Sequence, residues 1–168
     1  KRHNKVLKHG KQIQYYNTGQ MSEISHFKYG KLNGRFINWY ENGQKKSEID
    51  YCNGLQCGVY KTWKSNGDLY ENINYVSVYD SSRKSMTVRT HGKYELNYDN
   101  GKPKINGTYK MGKENGLFIH YHQNGKESYR AFYQTGNLSG RVVERNILGI
   151  IVRDETHMIT RTEKGINV

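Results

Sequence analysis

The sequence predicts an all-β protein, an open, twisted antiparallel sheet of consecutive β-hairpins in a solenoid-like array of five to six repeats. Three registered series carry that reading. Glycine recurs at Gly10, Gly34, Gly58, Gly92, Gly116 and Gly140, at intervals of 24, 24, 34, 24 and 24 residues. A second glycine follows nine residues behind, at Gly19, Gly43, Gly67, Gly101 and Gly125, and Asn precedes it in four of the five cases (Asn42, Asn66, Asn100, Asn124). Eight residues further on comes an aromatic (Phe27, Tyr51, Tyr75, Tyr109, Tyr133), in most units followed by a closing glycine (Gly30, Gly54, Gly112, Gly136). A fixed period of this length is the mark of a stacked repeat architecture.

Each element of the unit follows from its residues. Arg35-Phe36-Ile37-Asn38-Trp39-Tyr40 and Leu117-Phe118-Ile119-His120-Tyr121-His122 are rich in aromatic and β-branched side chains, which favour a pleated strand. Asn-Gly then turns the chain, because both residues tolerate positive φ and the resulting turn matches strand twist. The returning strand carries Ile49 and Tyr51, or Ala131 and Tyr133. A glycine-rich link such as residues 53–58 opens the next unit. One hairpin is marginal in water, whereas five or six stacked hairpins bury a continuous elongated core.

Composition agrees. The 168 residues suit one domain, and with a net charge of +12 and 34% hydrophobic residues they resemble a disordered chain. The 15 Tyr, 4 Phe and 2 Trp do not, and they argue for a thin, aromatic-cored fold. No run reaches bilayer length, and the frequent glycines argue against a heptad coiled coil. The chain starts at Lys1 rather than Met, so either a leader has been removed or the chain has been trimmed; residues 1–5 hold no apolar segment. A cytoplasmic location is favoured, with export after leader removal as the alternative. Cys52 and Cys57 are read as free thiols, with a local disulfide or a metal contact as alternatives.

These residues resemble the MORN-type repeats, in the bacterial variant that includes YwqK-like antitoxin proteins. Unit two carries the pattern most fully, as Gly34, Trp39, Tyr40, Asn42, Gly43, Ser47, Glu48, Tyr51 and Gly54. The likeness covers about residues 8–140, leaving an N-terminal flank at 1–7 and a degenerate repeat with a C-terminal cap at 141–168. The resemblance implies an open sheet of hairpins and protein interaction more often than catalysis. Members of the family also occur as antitoxins, exported repeat proteins and modules beside other domains.

The pattern breaks in three places. An insertion near 76–86 lengthens the third interval and reads as an extended hairpin with a basic polar tip at 81–85, either functional or merely tolerated. In unit four Asn97 stands where Tyr15, Trp39, Trp63 and Tyr121 stand elsewhere, and Pro103 suits a sheet edge or a turn flank. After Gly140 the apolar run at 147–152 reads as a buried strand and residues 158–161 as another, together a cap on the free edge or, alternatively, a docking strand.

Strand alternation sorts the side chains onto two faces. Counted from each opening glycine, the second residues (Gln12, Phe36, Tyr60, Tyr94, Phe118, Val142) form the core face. The other face displays Tyr15, Trp39, Trp63 and Tyr121, which either pack between hairpins or line a shallow aromatic groove. The scattered lysines serve solubility and edge protection, or else align along the rim and meet an anionic partner. His120 and His122 share a strand, too little for a metal site without a third ligand. No phosphate loop, zinc motif or paired-carboxylate constellation is present. The expected function is therefore a non-catalytic protein-binding module without cofactor or metal. A monomer of the antitoxin or immunity type would dock an acidic protein through Tyr15, Trp39, Trp63, Tyr121, Lys61, Arg83 and Lys84. The alternative partner is nucleic acid or an anionic membrane.

Overall fold

The structure is a computed structural model that describes residues 7–158. It contains fifteen strands: β1 (Gly10–Tyr15), β2 (Met21–Lys28), β3 (Lys31–Leu32), β4 (Gly34–Trp39), β5 (Lys45–Cys52), β6 (Leu55–Trp63), β7 (Leu69–Asp80), β8 (Ser85–Asn97), β9 (Pro103–Lys110), β10 (Lys113–Glu114), β11 (Gly116–Tyr121), β12 (Glu127–Gln134), β13 (Asn137–Leu138), β14 (Gly140–Arg145) and β15 (Ile151–His157). All lie in one sheet in chain order, with β3, β10 and β13 as short pairings on the links and no crossover among the described residues. Every pairing is antiparallel. Among the described residues no helix is long and apolar enough to cross a membrane.

The register repeats with the sequence. Each opening glycine faces the aromatic of its own unit, as in Gly10↔Phe27, Gly34↔Tyr51, Gly58↔Tyr75, Gly92↔Tyr109 and Gly116↔Tyr133. Two residues on, the core pairs face each other: Phe36↔Ile49, Tyr60↔Ile73, Tyr94↔Gly107 and Phe118↔Ala131. Ile49, Ile73, Phe118, Ala131 and Val142 are buried along this line. The rings beside them meet edge to face, Tyr94 on Tyr109, Tyr109 on Phe118 and Phe118 on Tyr133, with centroids 5.4–5.7 Å apart. Such pairs add about 0.5–1.5 kcal/mol beyond area burial. Gly107 is part of the same packing. A Cβ there would overlap the Phe118 ring, so the backbone of β9 forms the seat for that side chain.

Asn-Gly turns close the hairpins, with Gly43, Gly67, Gly101 and Gly125 at φ between 76° and 91°. The Asn has a second task. Asn42, Asn100 and Asn124 each accept from a backbone N–H two residues on, and each donates to a carbonyl 23 residues ahead in the next unit. The side chain one residue beyond each first strand does likewise. Tyr16 donates to the Trp39 carbonyl, Tyr40 to that of Trp63 and Tyr98 to that of Tyr121, at 2.6–3.0 Å. His122 repeats the contact on the Arg145 carbonyl. Units two, four and five are thereby fastened to their successors at two points besides the strand ladder, and unit one at the Tyr16 bond alone.

The insertion is a hairpin continuous with β7 and β8, paired from Val76↔Arg89 to Asp80↔Ser85. The Asp80 carboxylate accepts from the N–H groups of Ser82 and Arg83 and from the Ser82 hydroxyl, which shapes the tip. The sixth unit also keeps the register, with Gly140↔His157 matching Gly116↔Tyr133.

Two expectations are corrected. The apolar run at 147–152 is not a buried strand. Gly149 occupies the turn slot of the sixth hairpin, with its N–H bonded to the Asn146 carbonyl, so the run straddles a turn. Ile147, Leu148, Ile150 and Val152 are 58–69% exposed, because a single-layer sheet offers nothing to cover them. Of the second strand proposed at 158–161, only Met158 lies within the described residues, and it is in no strand. Cys52 and Cys57 are not free thiols but form a disulfide across the β5–β6 link. The cross-strand register explains it. Tyr51↔Gln56 and Cys52↔Leu55 pair across the tight link, which returns Cys57 to within 5.8 Å of Cys52, Cα to Cα.

Two substitutions test this packing. Gly107→Val should destabilise the protein by about 1–3 kcal/mol through overpacking against Phe118, read from urea unfolding. Tyr40→Phe removes one inter-repeat hydrogen bond and leaves the Trp63 carbonyl without its donor, which should cost about 0.5–1.5 kcal/mol in the same assay.

Candidate binding surfaces

The structure places the predicted contact residues in three separate regions. Tyr15, Trp39, Trp63 and Tyr121 occupy the equivalent position of four units, on the face opposite the aromatic core. Tyr15, Trp39 and Trp63 lie on alternate strands, on the order of 10 Å apart. Tyr121 is separated from them by the Asn97 unit, where the Asn97 amide instead caps the Leu69 carbonyl. Tyr15 is 60% exposed, whereas Trp39, Trp63 and Tyr121 are half-buried. Each has a cross-strand partner at the start of the returning strand: Met21, Lys45, Leu69 and Glu127. The Lys45 ammonium sits 5.0 Å from the Trp63 ring centroid and 2.6 Å from the Glu48 carboxylate. The lane therefore combines packed ring edges with open faces.

Lys61 lies on that same face between Glu48 and Glu95, cross-strand neighbours of β6 and β7, and its charge helps hold both carboxyls below their usual range. For each carboxyl burial works in the opposite direction and is the largest single influence, but the lysines and hydrogen bonds together outweigh it.

Arg83 and Lys84 project at the tip of the insertion. Ten residues of β7 separate that tip from the Trp63 end, on the order of 33 Å of extended chain. They belong to the rim where one hairpin links to the next. Lys28, Lys31, Arg89, Lys110 and Lys113 are exposed along this rim and form no ion pair among the described residues. The stem of Lys31 runs beside Gly54, that of Arg89 beside Gly112 and that of Lys113 beside Gly136 of the succeeding link. Tyr29, Tyr79, Met86 and Met111 are exposed beside them.

The fourth region was missed by sequence reasoning. On the core face a polar row crosses four strands, Asn38↔Ser47, Ser47↔Thr62 and Thr62↔Glu71. These residues form the floor of an open groove of about 620 Å³, walled by Tyr40, Tyr60 and Tyr70. Glu71 lies diagonally between Tyr60 on β6 and Tyr94 on β8. Burial raises the Glu71 pKa above its ordinary value. Burial, followed by the Glu71 charge, raises Tyr60 and Tyr75 and pushes Tyr94 up to about 12. The available signal was the appearance of Asn38, Thr62 and Glu71 at positions that alternation assigns to the core.

His120 and His122 take structural roles. His120 stacks on Tyr129 with centroids 5.1 Å apart, and burial lowers its pKa. His122 bonds the next unit.

The sequence model of the MORN repeat variant matches residues 8–29, 32–53 and 90–111, three of the units described above. No curated protein matches the chain significantly. MORN repeats are generally non-enzymatic modules that bind proteins or membranes.

The raised Glu71 pKa sets a pH dependence. A carboxyl whose folded-state pKa is raised contributes stability below its unfolded value, and that contribution is lost as pH rises through the folded value. Wild type should therefore lose stability between pH 4.5 and neutrality relative to Glu71→Gln, with the difference vanishing on the acid side. Urea unfolding of both proteins across that range checks the sign.

Proposed function

We propose that the chain is a non-catalytic docking module for an acidic protein surface, of the antitoxin or immunity type that the YwqK-like resemblance implies. The observation that carries this reading is the cationic rim. Lys28, Lys31, Arg89, Lys110 and Lys113 face solvent without an ion pair among the described residues, while Glu48, Asp50, Glu127, Glu144, Asp154 and Glu155 are paired elsewhere with Arg or Lys. These five cations are a reachable part of the net charge of +12.

In this mechanism the rim and the Arg83–Lys84 tip steer encounter, since complementary charge raises the association rate. Tyr15, Trp39, Trp63 and Tyr121 supply apolar contact on the adjoining face, and Lys61, held between two carboxylates, orients rather than attracts. The exposed Tyr29, Tyr79, Met86 and Met111 beside the cations favour a second reading, docking on an anionic membrane, because aromatic and apolar side chains among lysines suit a lipid headgroup region. The Cys52–Cys57 bridge supports an oxidising compartment, hence the exported placement over the cytoplasmic one.

Charge reversal separates these readings. The variant Lys28→Glu, Lys31→Glu, Lys110→Glu, Lys113→Glu should keep its circular dichroism spectrum and lose capture of acidic proteins from a host lysate at 50 mM salt. The same variant should leave sedimentation with phosphatidylserine vesicles unchanged if the partner is a protein, and abolish it if the partner is a membrane. Capture of acidic proteins that survives both the reversal and 0.5 M salt would remove the electrostatic reading.

A further inference from the structure

The groove on the core face lies apart from the cationic rim and makes a different chemical demand. Its floor is rich in acceptors. Asn38 Oδ1 and Thr62 Oγ1 are buried with no hydrogen-bond partner, and both residues line the groove. Beside them Glu71 is flanked by tyrosine rings and has no salt-bridge partner among the described residues. The two lysines at the mouth do not fill that role. Lys64 donates to the Tyr98 carbonyl, pairs with Asp99 at 3.1 Å and covers the Tyr70 ring at 5.6 Å from its centroid, and Lys46 lies 5.6 Å from the Tyr40 ring centroid. A half-buried carboxyl set among aromatic rings and orphaned oxygens lacks one thing, a donor-rich cation of its own.

We propose that this groove binds an alkylammonium or guanidinium head, as presented by a lysine or arginine side chain of a partner protein. The cation would pair with Glu71, donate to Thr62 Oγ1 directly opposite it, and lie against the face of Tyr60. Rings supply attraction to a desolvated cation through their quadrupole, and carboxylate pairing completes the neutralisation. A volume of about 620 Å³ exceeds one side-chain head, leaving room for the flanking peptide. Lys46 and the Lys64–Asp99 pair at the mouth disfavour a second cation nearby, so the preferred peptide carries an isolated basic residue, not a basic run.

This inference does not depend on the acidic-partner reading, which concerns the opposite charge on another surface. The test uses the full chain and defined probes: Nα-acetyl-lysine methylamide, Nα-acetyl-arginine methylamide, n-butylammonium and the neutral Nα-acetyl-norleucine methylamide. Calorimetry and tyrosine-ring NMR shifts are the readouts. The two charged amino acid derivatives should bind at least tenfold tighter than the norleucine derivative, with shifts confined to Tyr60 and Tyr94. Butylammonium weaker than the lysine derivative assigns the site to a protein side chain, and the reverse order assigns it to a free amine. Glu71→Gln should weaken binding at least tenfold and Thr62→Val severalfold, while the four-lysine reversal of the rim leaves it unchanged. Equal affinity for the norleucine derivative, or full binding by a folded Glu71→Gln protein, would overturn the proposal.

Discussion

A sheet one layer thick cannot hide its core, and this protein meets that constraint with hydrogen bonds that reach from one repeat to the next. The phenols of Tyr16, Tyr40 and Tyr98 each close on a backbone carbonyl 23 residues ahead. The turn asparagines Asn42, Asn100 and Asn124 do the same one step further along the turn. These bonds cap strand ends that water would otherwise solvate, and they fix the stagger of each hairpin on its neighbour. The core line of Ile49, Ile73, Phe118 and Ala131 depends on that stagger, because a one-residue slip would turn its side chains to the opposite face.

The same stagger organises the surfaces. Equivalent residues of successive units stack in lanes, so a chemical property repeated in sequence becomes a stripe in space. Lys31, Arg89 and Lys113 form a cationic rim, each stem beside the glycine of the next link. Positions that depart from the repeat become local features. Asn97 interrupts the aromatic lane, the 76–89 hairpin breaks the rim with a projecting tip, and Glu71 places a carboxyl among tyrosines where neighbouring units carry Ser47 or Ile105.

The edges show how an open array ends. On β15 the residues facing the core are Arg153, Glu155 and His157, where earlier units carry Tyr129, Ala131 and Tyr133. Arg153 bridges Glu144 and Glu155, so the last strand presents an ion network on the face that elsewhere is aromatic. Inward charges on an edge strand discourage further pairing. The exposed Ile147, Leu148 and Ile150 lie in the turn instead of on that edge.

The fold was legible in the sequence because the turn signal and the pleat are local. Asn-Gly sets the bend, alternation sets the faces, and a 24-residue period forces equal hairpins into one sheet. The aromatic lane and the insertion were legible for the same reason. Other features depended on which residues of different units become neighbours. The Cys52–Cys57 bridge, the Lys61 position between Glu48 and Glu95, and the separation of Arg83 and Lys84 from Trp39 and Trp63 all follow from cross-strand register. So does the groove, since Asn38, Thr62 and Glu71 come from three strands and become a row only when the register is set. Burial of the 147–152 run failed as a sequence inference because hydrophobicity does not reveal whether a second layer exists to cover it. Only the tertiary structure decides that, and among the described residues there is none.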